Sequence, residues 1–240
     1  MRIAAVIPAL NEAAAIARVV DGLRGQRAVL LDAIVVVDNG STDGTDDVAR
    51  RAGAVVVREE RRGYGSACYA GVLAAGGADV VVLMDGDAAD DPQDLHGVVG
   101  PVLRDEADLV VGSRALGSAE PGAMTPQQVF GNRLAAWLIG RLYGLAVSDL
   151  GPLRAIRRDA LLALDMREMS YGWSVEMVVK AARAGYRYRE VPVRYRRRAG
   201  GASKVGGTLR GSVRAGCCIV ATAVRYARWA PRRSAGAPAR

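Results

Sequence analysis

One histidine, His96, stands in 240 residues, and no Ser-His or Cys-His nucleophilic pair can be assembled around it. On a predicted helix, it reads as a structural or solvated residue. The three cysteines, Cys68, Cys217 and Cys218, have neither paired nor metal-ligand spacing. That argues against a disulfide framework and a zinc site, and fits a reducing cytosol. No apolar run approaches the ~18 residues that a membrane span needs. The longest, Ala215 to Val224, lies between Arg214 and Arg225 and reads either as a core helix or as a helix lying on a membrane. The stretch Met1 to Pro8 is too short and too soon interrupted for a signal peptide and reads as a first strand. The expected location is cytoplasmic, with peripheral placement on the inner face of the cell membrane left open.

Acid is missing from residues 191–240, which hold twelve Arg or Lys and no Asp or Glu. The first 190 residues therefore carry −4 against +8 overall. Such a tail suits a diphosphate, an anionic membrane or nucleic acid, and charge alone does not choose. Lysine is scarce too: only Lys180 and Lys204 occur among 33 basic residues, so the abundance of Arg is discounted as compositional.

Half the residues are hydrophobic, enough to bury a large core. Short Val/Ile/Ala runs alternate with helical segments: strand 2–7, helix 12–24, strand 33–38, helix 44–52, strand 54–58, helix 65–76, strand 79–84, then a helix near 92–104 and a strand near 107–112. This rhythm predicts parallel βαβ units, an α/β fold with a mostly parallel sheet flanked by helices. A Gly/Pro-containing link at 117–126, a helix from about 127 to 142 and a short strand near 152–157 follow. The expected division is one α/β domain over 1–208, a basic amphipathic helix over 209–230, and a disordered tail over 231–240.

The polar residues gather at strand ends. The first strand runs into Pro8-Ala9-Leu10-Asn11-Glu12, the second into Asp38-Asn39-Gly40-Ser41-Thr42-Asp43-Gly44-Thr45, and the fourth into Asp85-Gly86-Asp87. Two carboxylates one residue apart at the carboxyl edge of a sheet can hold a divalent cation. An ordinary acidic turn is the competing reading, and Thr42 or Asp43 also suits a helix N-cap. Arg62-Gly63-Tyr64-Gly65-Ser66-Ala67 lacks the third glycine of a dinucleotide fingerprint and does not follow the first strand, so it reads as a tight loop opening a helix.

These motifs, with Gly112-Ser113-Arg114, resemble in order a family 2 glycosyltransferase of the GT-A fold, across residues 3 to about 206. Ser148-Asp149-Leu150-Gly151-Pro152-Leu153-Arg154, Glu176, Glu190-Val191-Pro192-Val193 and Arg198-x-x-Gly201-x-Ser203-Lys204 resemble its dolichyl- or polyprenyl-phosphate mannose or glucose synthase branch. The resemblance implies a UDP- or GDP-sugar donor, Mg2+ or Mn2+, a polyprenyl-phosphate acceptor at the membrane surface, and no nucleic acid. It implies that Pro8, Asn11, Glu12 and Asp38 line the nucleoside pocket, with Asp85 near the ribose or metal and Asp87 on the metal. Arg114, Arg198 and Lys204 would clamp phosphate oxygens.

Relatives that glycosylate a sugar hydroxyl resemble one another in a Glu-Asp pair whose Asp is the general base; here the pair reads Glu176-Met177. A hydroxyl must lose its proton in the transition state, whereas a phosphate oxygen is already anionic. The expectation is an inverting transfer to a lipid phosphate, with Glu176 orienting the sugar or serving as base as the alternative. Ala89 replaces the Gln common near the metal in that branch, leaving Asp90, Asp91 or water to complete the site; Asp91 before Pro92 equally suits a helix cap. Membrane access would use the basic segment Arg210 to Trp229, tipped by Tyr226 and Trp229, unless that helix packs on the body. A hydroxyl-acceptor transferase, a nucleotidyltransferase and a non-catalytic nucleotide-sugar or membrane-binding module are the rival readings.

Overall fold

The computed structural model describes residues 1–200 and 209–231. In the first half, strands β1 (Ile3–Ala9), β2 (Ala33–Asp38), β3 (Val55–Arg58) and β4 (Val80–Leu83) alternate with helices α1 (Ile16–Gly25), α2 (Thr45–Arg51) and α3 (Tyr64–Ala74). Then come α4 (Leu95–Leu103), β5 (Leu109–Ala119), α5 (Pro126–Tyr143), β6 (Arg154–Arg157), α6 (Arg158–Ala163), α7 (Trp173–Arg183), β7 (Tyr188–Tyr195) and α8 (Leu209–Arg225). The seven strands form one sheet in the order β3-β2-β1-β4-β6-β5-β7. Only β6 is antiparallel to its neighbours, β4 and β5.

The central strands are apolar at nearly every position because both sheet faces are covered. Side chains alternate between the faces. Ile7, Val36 and Val82 join Val19, Leu23 and Val98 of α1 and α4 in one core. Val6, Val37 and Val81 join Val72, Met177 and Val178 of α3 and α7 in the other. Parallel register then brings Ala9 opposite Asp38 and Val6 opposite Leu83, so three strands deliver their polar ends to one edge.

Several expected boundaries move. The helix expected over 12–24 begins at Ile16, because the N–H groups of Ala15 and Ile16 both donate to the Glu12 carbonyl, at 2.9 and 2.8 Å, in a preceding turn. The strand expected near 107–112 continues to Ala119, with an irregularity between Ser113 and Ser118, and pairs with β7. Gly117 permits that pairing: a Cβ there would meet the Val193 carbonyl oxygen at 2.1 Å. β7 itself lies outside the expected strands, yet Pro192 fits because β7 is the sheet edge. α5 matches its expected span, and Thr125 and Gln128 close a capping box ahead of Pro126 at its first position.

The end of the described chain corrects the picture of an aromatic tip facing lipid. Tyr226 is buried, and Lys180 Nζ lies 4.6 Å from its ring centroid and 5.0 Å from that of Trp229. Arg183 Nε donates to the Trp229 carbonyl at 3.0 Å, and Tyr143 donates to the Ala223 carbonyl. These contacts dock the end of α8 onto α5 and α7.

Candidate active site

The acidic turn after β4 is held from both sides. Asp87 Oδ1 accepts from the Ala89 N–H at 3.0 Å. The chain leaving β7 passes over the turn: Arg196 N–H donates to the Ala89 carbonyl at 2.7 Å, and Ala199 N–H to the Asp87 carbonyl at 3.1 Å. This crossing brings Arg198 to the acids. Its Nε lies 3.0 Å from Asp87 Oδ2, and its Nη2 donates to Glu12 Oε1 at 3.2 Å. Arg198, expected on phosphate, here bridges two carboxylates of the candidate donor side.

The remaining acids of the turn divide by role. Asp91 Oδ1 accepts from Gln93 N–H at 3.1 Å, capping the 3-10 turn Pro92–Asp94, and its Oδ2 pairs with Arg196 at 2.6 Å. Asp91 is thus a cap with an arginine partner. Asp85 Oδ1 is buried with no hydrogen-bond partner among the described residues. Burial, reinforced by the Asp87 charge, pushes its carboxyl up to about 6. Burial and the neighbouring Asp85 charge push the Tyr64 phenol well above its usual range. Asp90 is buried with neither oxygen partnered, and burial with the charges of Asp85 and Asp87 raises its proton affinity well above that of an ordinary carboxyl.

A cavity of about 580 Å³ opens over this edge, and Pro8, Glu12, Asp85, Asp87, Arg114 and Arg198 all line it. Asn11 and Asp38 do not line it. Asn11, at φ 53°, accepts from Thr42 N–H at 2.8 Å while its own N–H donates to Ser41 Oγ at 2.9 Å. Asp38 Oδ1 accepts from Ser41 N–H at 3.0 Å. Asn11 therefore ties the β1 loop to the β2 loop, Asp38 braces the β2 loop internally, and Asn39 is the second loop's cavity residue. The N-cap of α2 is Gly44, not Thr42 or Asp43; Asp43, one residue earlier, accepts from Thr45 N–H at 3.1 Å and from Ala13 N–H at 3.0 Å. Lys204 and Ser203 lie outside the described residues.

Arg114 faces the cavity with its guanidinium oriented. Its Nε and Nη2 donate to the two Asp149 oxygens, each at 2.7 Å, and its ring contact with Tyr195 is at 4.9 Å. Asn132 supports Asp149 at 2.6 Å, and Glu190 holds the loop by accepting from Ser148 N–H at 2.9 Å. Although burial opposes ionisation, the Arg114 and Asn132 donors hold the Asp149 carboxyl below its ordinary range. Asp149 was visible in its motif, but its service to Arg114 spans 35 residues and required the fold.

The glycines of the Arg62–Ala67 loop serve close packing. A Cβ at Gly65 would meet the Glu168 carbonyl oxygen at 2.3 Å, and one at Gly63, φ +147°, the Met169 oxygen at 2.0 Å. The loop opens α3, as expected, and packs its backbone directly against the 168–169 segment.

Glu176 is corrected as a candidate catalytic residue. It lies on α7 with its side chain fully buried, and Lys180 Nζ of the next turn lies 2.6 Å from its Oε1. It also accepts from the N–H groups of Arg167 at 2.8 Å and Glu168 at 2.6 Å. All its visible partners are structural, and neither it nor the buried Met177 lines the cavity. His96 is exposed on α4, its Nδ1 2.7 Å from the Gln93 carbonyl.

The glycosyl transferase family 2 model matches residues 4–164. An uncharacterized glycosyltransferase of Mycobacterium tuberculosis is 42% identical over 210 residues, covering 87% of this chain and 91% of its own. An undecaprenyl-phosphate mannosyltransferase of Micrococcus luteus is 34% identical over 228 residues, covering 88% and 90%. Among solved structures, glucosyl-3-phosphoglycerate synthase from M. tuberculosis, in complex with Mn2+, uridine diphosphate and phosphoglyceric acid, superposes with a TM-score of 0.76 at 26% identity. The match covers 97% of this chain and 80% of that one.

Proposed function

This chain belongs to glycosyl transferase family 2 and has the GT-A fold, and on that premise we propose that it moves a sugar from a nucleotide-sugar donor to a polyprenyl phosphate, with inversion at the anomeric carbon. The observation that carries the reading is the distribution of acids in the cavity. Glu12, Asp85 and Asp87, all at the strand-end side, are its only carboxylates among the described residues, and no histidine lines it. Away from the strand ends, α5, α7 and the turn before α7 line the cavity with Gln127, Gln128, Asn132, Tyr171 and Ser174, which are neutral. A hydroxyl acceptor arriving there would find no carboxylate or imidazole to take its proton, whereas a phosphate oxygen needs none. The undecaprenyl-phosphate mannosyltransferase among the relatives supports the same acceptor.

The donor side suits a hard divalent cation. Asp85 has a buried, unpartnered oxygen, and Asp87 stands beside it. No three His, Cys, Asp or Glu side chains gather tightly enough among the described residues to hold an ion alone. That donor count fits Mg2+ or Mn2+, ions commonly bound by one or two carboxylates together with phosphate oxygens and water. A bound ion would neutralise charge growing on the departing diphosphate. Asp85 and Asp87 would hold it, Glu12 would face the nucleoside, and Arg198 and the fork-held Arg114 would stabilise phosphate oxygens. Catalysis by these residues is positioning and electrostatics, with the acceptor phosphate as the nucleophile.

A small phosphorylated acceptor is the second reading, favoured by the phosphoglyceric acid in the solved relative. The deciding experiment offers purified protein a panel of nucleotide sugars with Mn2+ or Mg2+ and, in separate reactions, polyprenyl phosphate, phosphoglycerate and free saccharides. Labelled sugar in an acid-labile organic fraction is the expected result. Transfer only to phosphoglycerate or to saccharides would overturn the lipid acceptor while leaving the glycosyltransferase assignment intact.

A further inference from the structure

The outward face of α5 is inverted relative to a water-facing helix. Phe130, Leu134 and Trp137, spaced to share one face, are 69%, 40% and 62% exposed. An amphipathic surface helix turns such residues inward. Inward-facing Ala135 and Ile139 already fill that role, so this second apolar stripe has no core to serve. On α8, which packs beside α5, Val220 and Val224 are also exposed.

Charge selects the partner. Arg133 and Arg141 stand exposed on α5, neither in an ion pair among the described residues, and neither α5 nor α8 contains an Asp or Glu. Aromatic and Leu side chains interleaved with arginine, without acid, match the interface of an anionic bilayer. Position agrees: Gln127 and Gly131 of α5 and Gly216 and Ile219 of α8 line the cavity. No helix among the described residues is long and apolar enough to cross a membrane. We propose that the Phe130–Leu134–Trp137 face of α5, flanked by Arg133 and Arg141, docks the enzyme onto an anionic lipid surface with the cavity mouth beside the headgroups. The purpose of this docking rests on the polyprenyl-phosphate reading, but its test uses neither donor nor acceptor.

Full-length protein is floated with vesicles of phosphatidylcholine alone or mixed with phosphatidylglycerol. Wild type should float with the anionic vesicles and sediment from the neutral ones, with binding falling as salt rises. Phe130→Ser/Trp137→Ser should weaken anionic-vesicle binding by about 10-fold or more. Arg133→Gln/Arg141→Gln should weaken it and flatten its salt dependence. Circular dichroism melts check that each variant is folded. Equal vesicle binding by folded wild type and the Phe130/Trp137 variant would overturn the proposal, as would no binding by wild type. A wild-type dimer that the same variant turns into a monomer, without vesicle binding, would assign the face to a second copy instead. Vesicle binding with transfer only to a soluble acceptor would leave the docking face standing and remove the lipid-acceptor reading.

Discussion

Arg198 Nε lies 3.0 Å from Asp87 Oδ2 while Nη2 of the same guanidinium reaches Glu12 at 3.2 Å, so one cation from the segment after β7 neutralises two acids from the ends of β1 and β4. A divalent cation on Asp87 would compete with that pairing. Replacing the guanidinium by alanine should therefore have opposite effects on two measurements. In Arg198→Ala, Mn2+ binding to the nucleotide-free protein, measured by titration calorimetry, should be as tight as wild type or tighter. Turnover should fall roughly 10²-fold, because a charge stabilising the leaving diphosphate is gone. Weaker Mn2+ binding together with normal turnover would contradict both roles.

Asp87→Asn tests the metal assignment directly. The amide keeps shape and one acceptor oxygen but loses the charge a hard cation requires. The variant should lose Mn2+-dependent binding of a nucleoside diphosphate and show turnover reduced by at least about 10²-fold. A variant that bound and turned over a nucleotide sugar like wild type would remove the ion from this turn.

The strand-end acids were legible because apolar runs separated by helical segments dictate parallel strands, and parallel strands present their carboxyl ends together. What those acids touch was less legible. Arg198 reaches Asp87 across 111 positions only because β7, obscured by Pro192 and its arginines, forms the sheet edge. Asn11 and Asp38 are assigned to the ligand by motif, yet Asn11 bonds across to Thr42 of the β2 loop and Asp38 bonds within its own loop to Ser41. Glu176 and Lys180 did carry a readable signal: Glu four residues ahead of Lys on a helix favours pairing.

Asp85 gives a pH dependence whose sign follows from its environment. Burial and the Asp87 charge raise its carboxyl to about 6 in the folded protein, from an ordinary 3.8. Between these values the folded state holds the proton more tightly than the unfolded one, so this group's contribution to stability falls as pH rises through about 4 to 6. Above that window the ionised carboxylate opposes folding of the metal-free protein. Asp85→Asn removes the charge, so metal-free variant and wild type should melt closest together near pH 4, with the variant gaining steadily toward pH 7. A melting difference that stayed constant across this range would show that Asp85 does not titrate there.

Glu176 and Lys180, with side chains 0% and 1% exposed and 2.6 Å apart, form a buried ion pair that also gathers the backbone of Arg167 and Glu168 and the ring of Tyr226. Removing one partner leaves the other charge buried and uncompensated, a loss of about 3–5 kcal/mol. Glu176→Gln should therefore lower the melting temperature markedly. A general base would behave differently, giving a steep loss of kcat and an altered pH profile in protein that remains folded. For Glu176→Gln at a temperature where it is fully folded, kcat should stay within a few-fold of wild type and the pH profile should superpose. Glu176→Gln/Lys180→Met should recover part of the lost stability, since it removes both charges. A large kcat loss with unchanged melting would instead return Glu176 to the chemistry, acting through a rearrangement that opens α7 to the cavity.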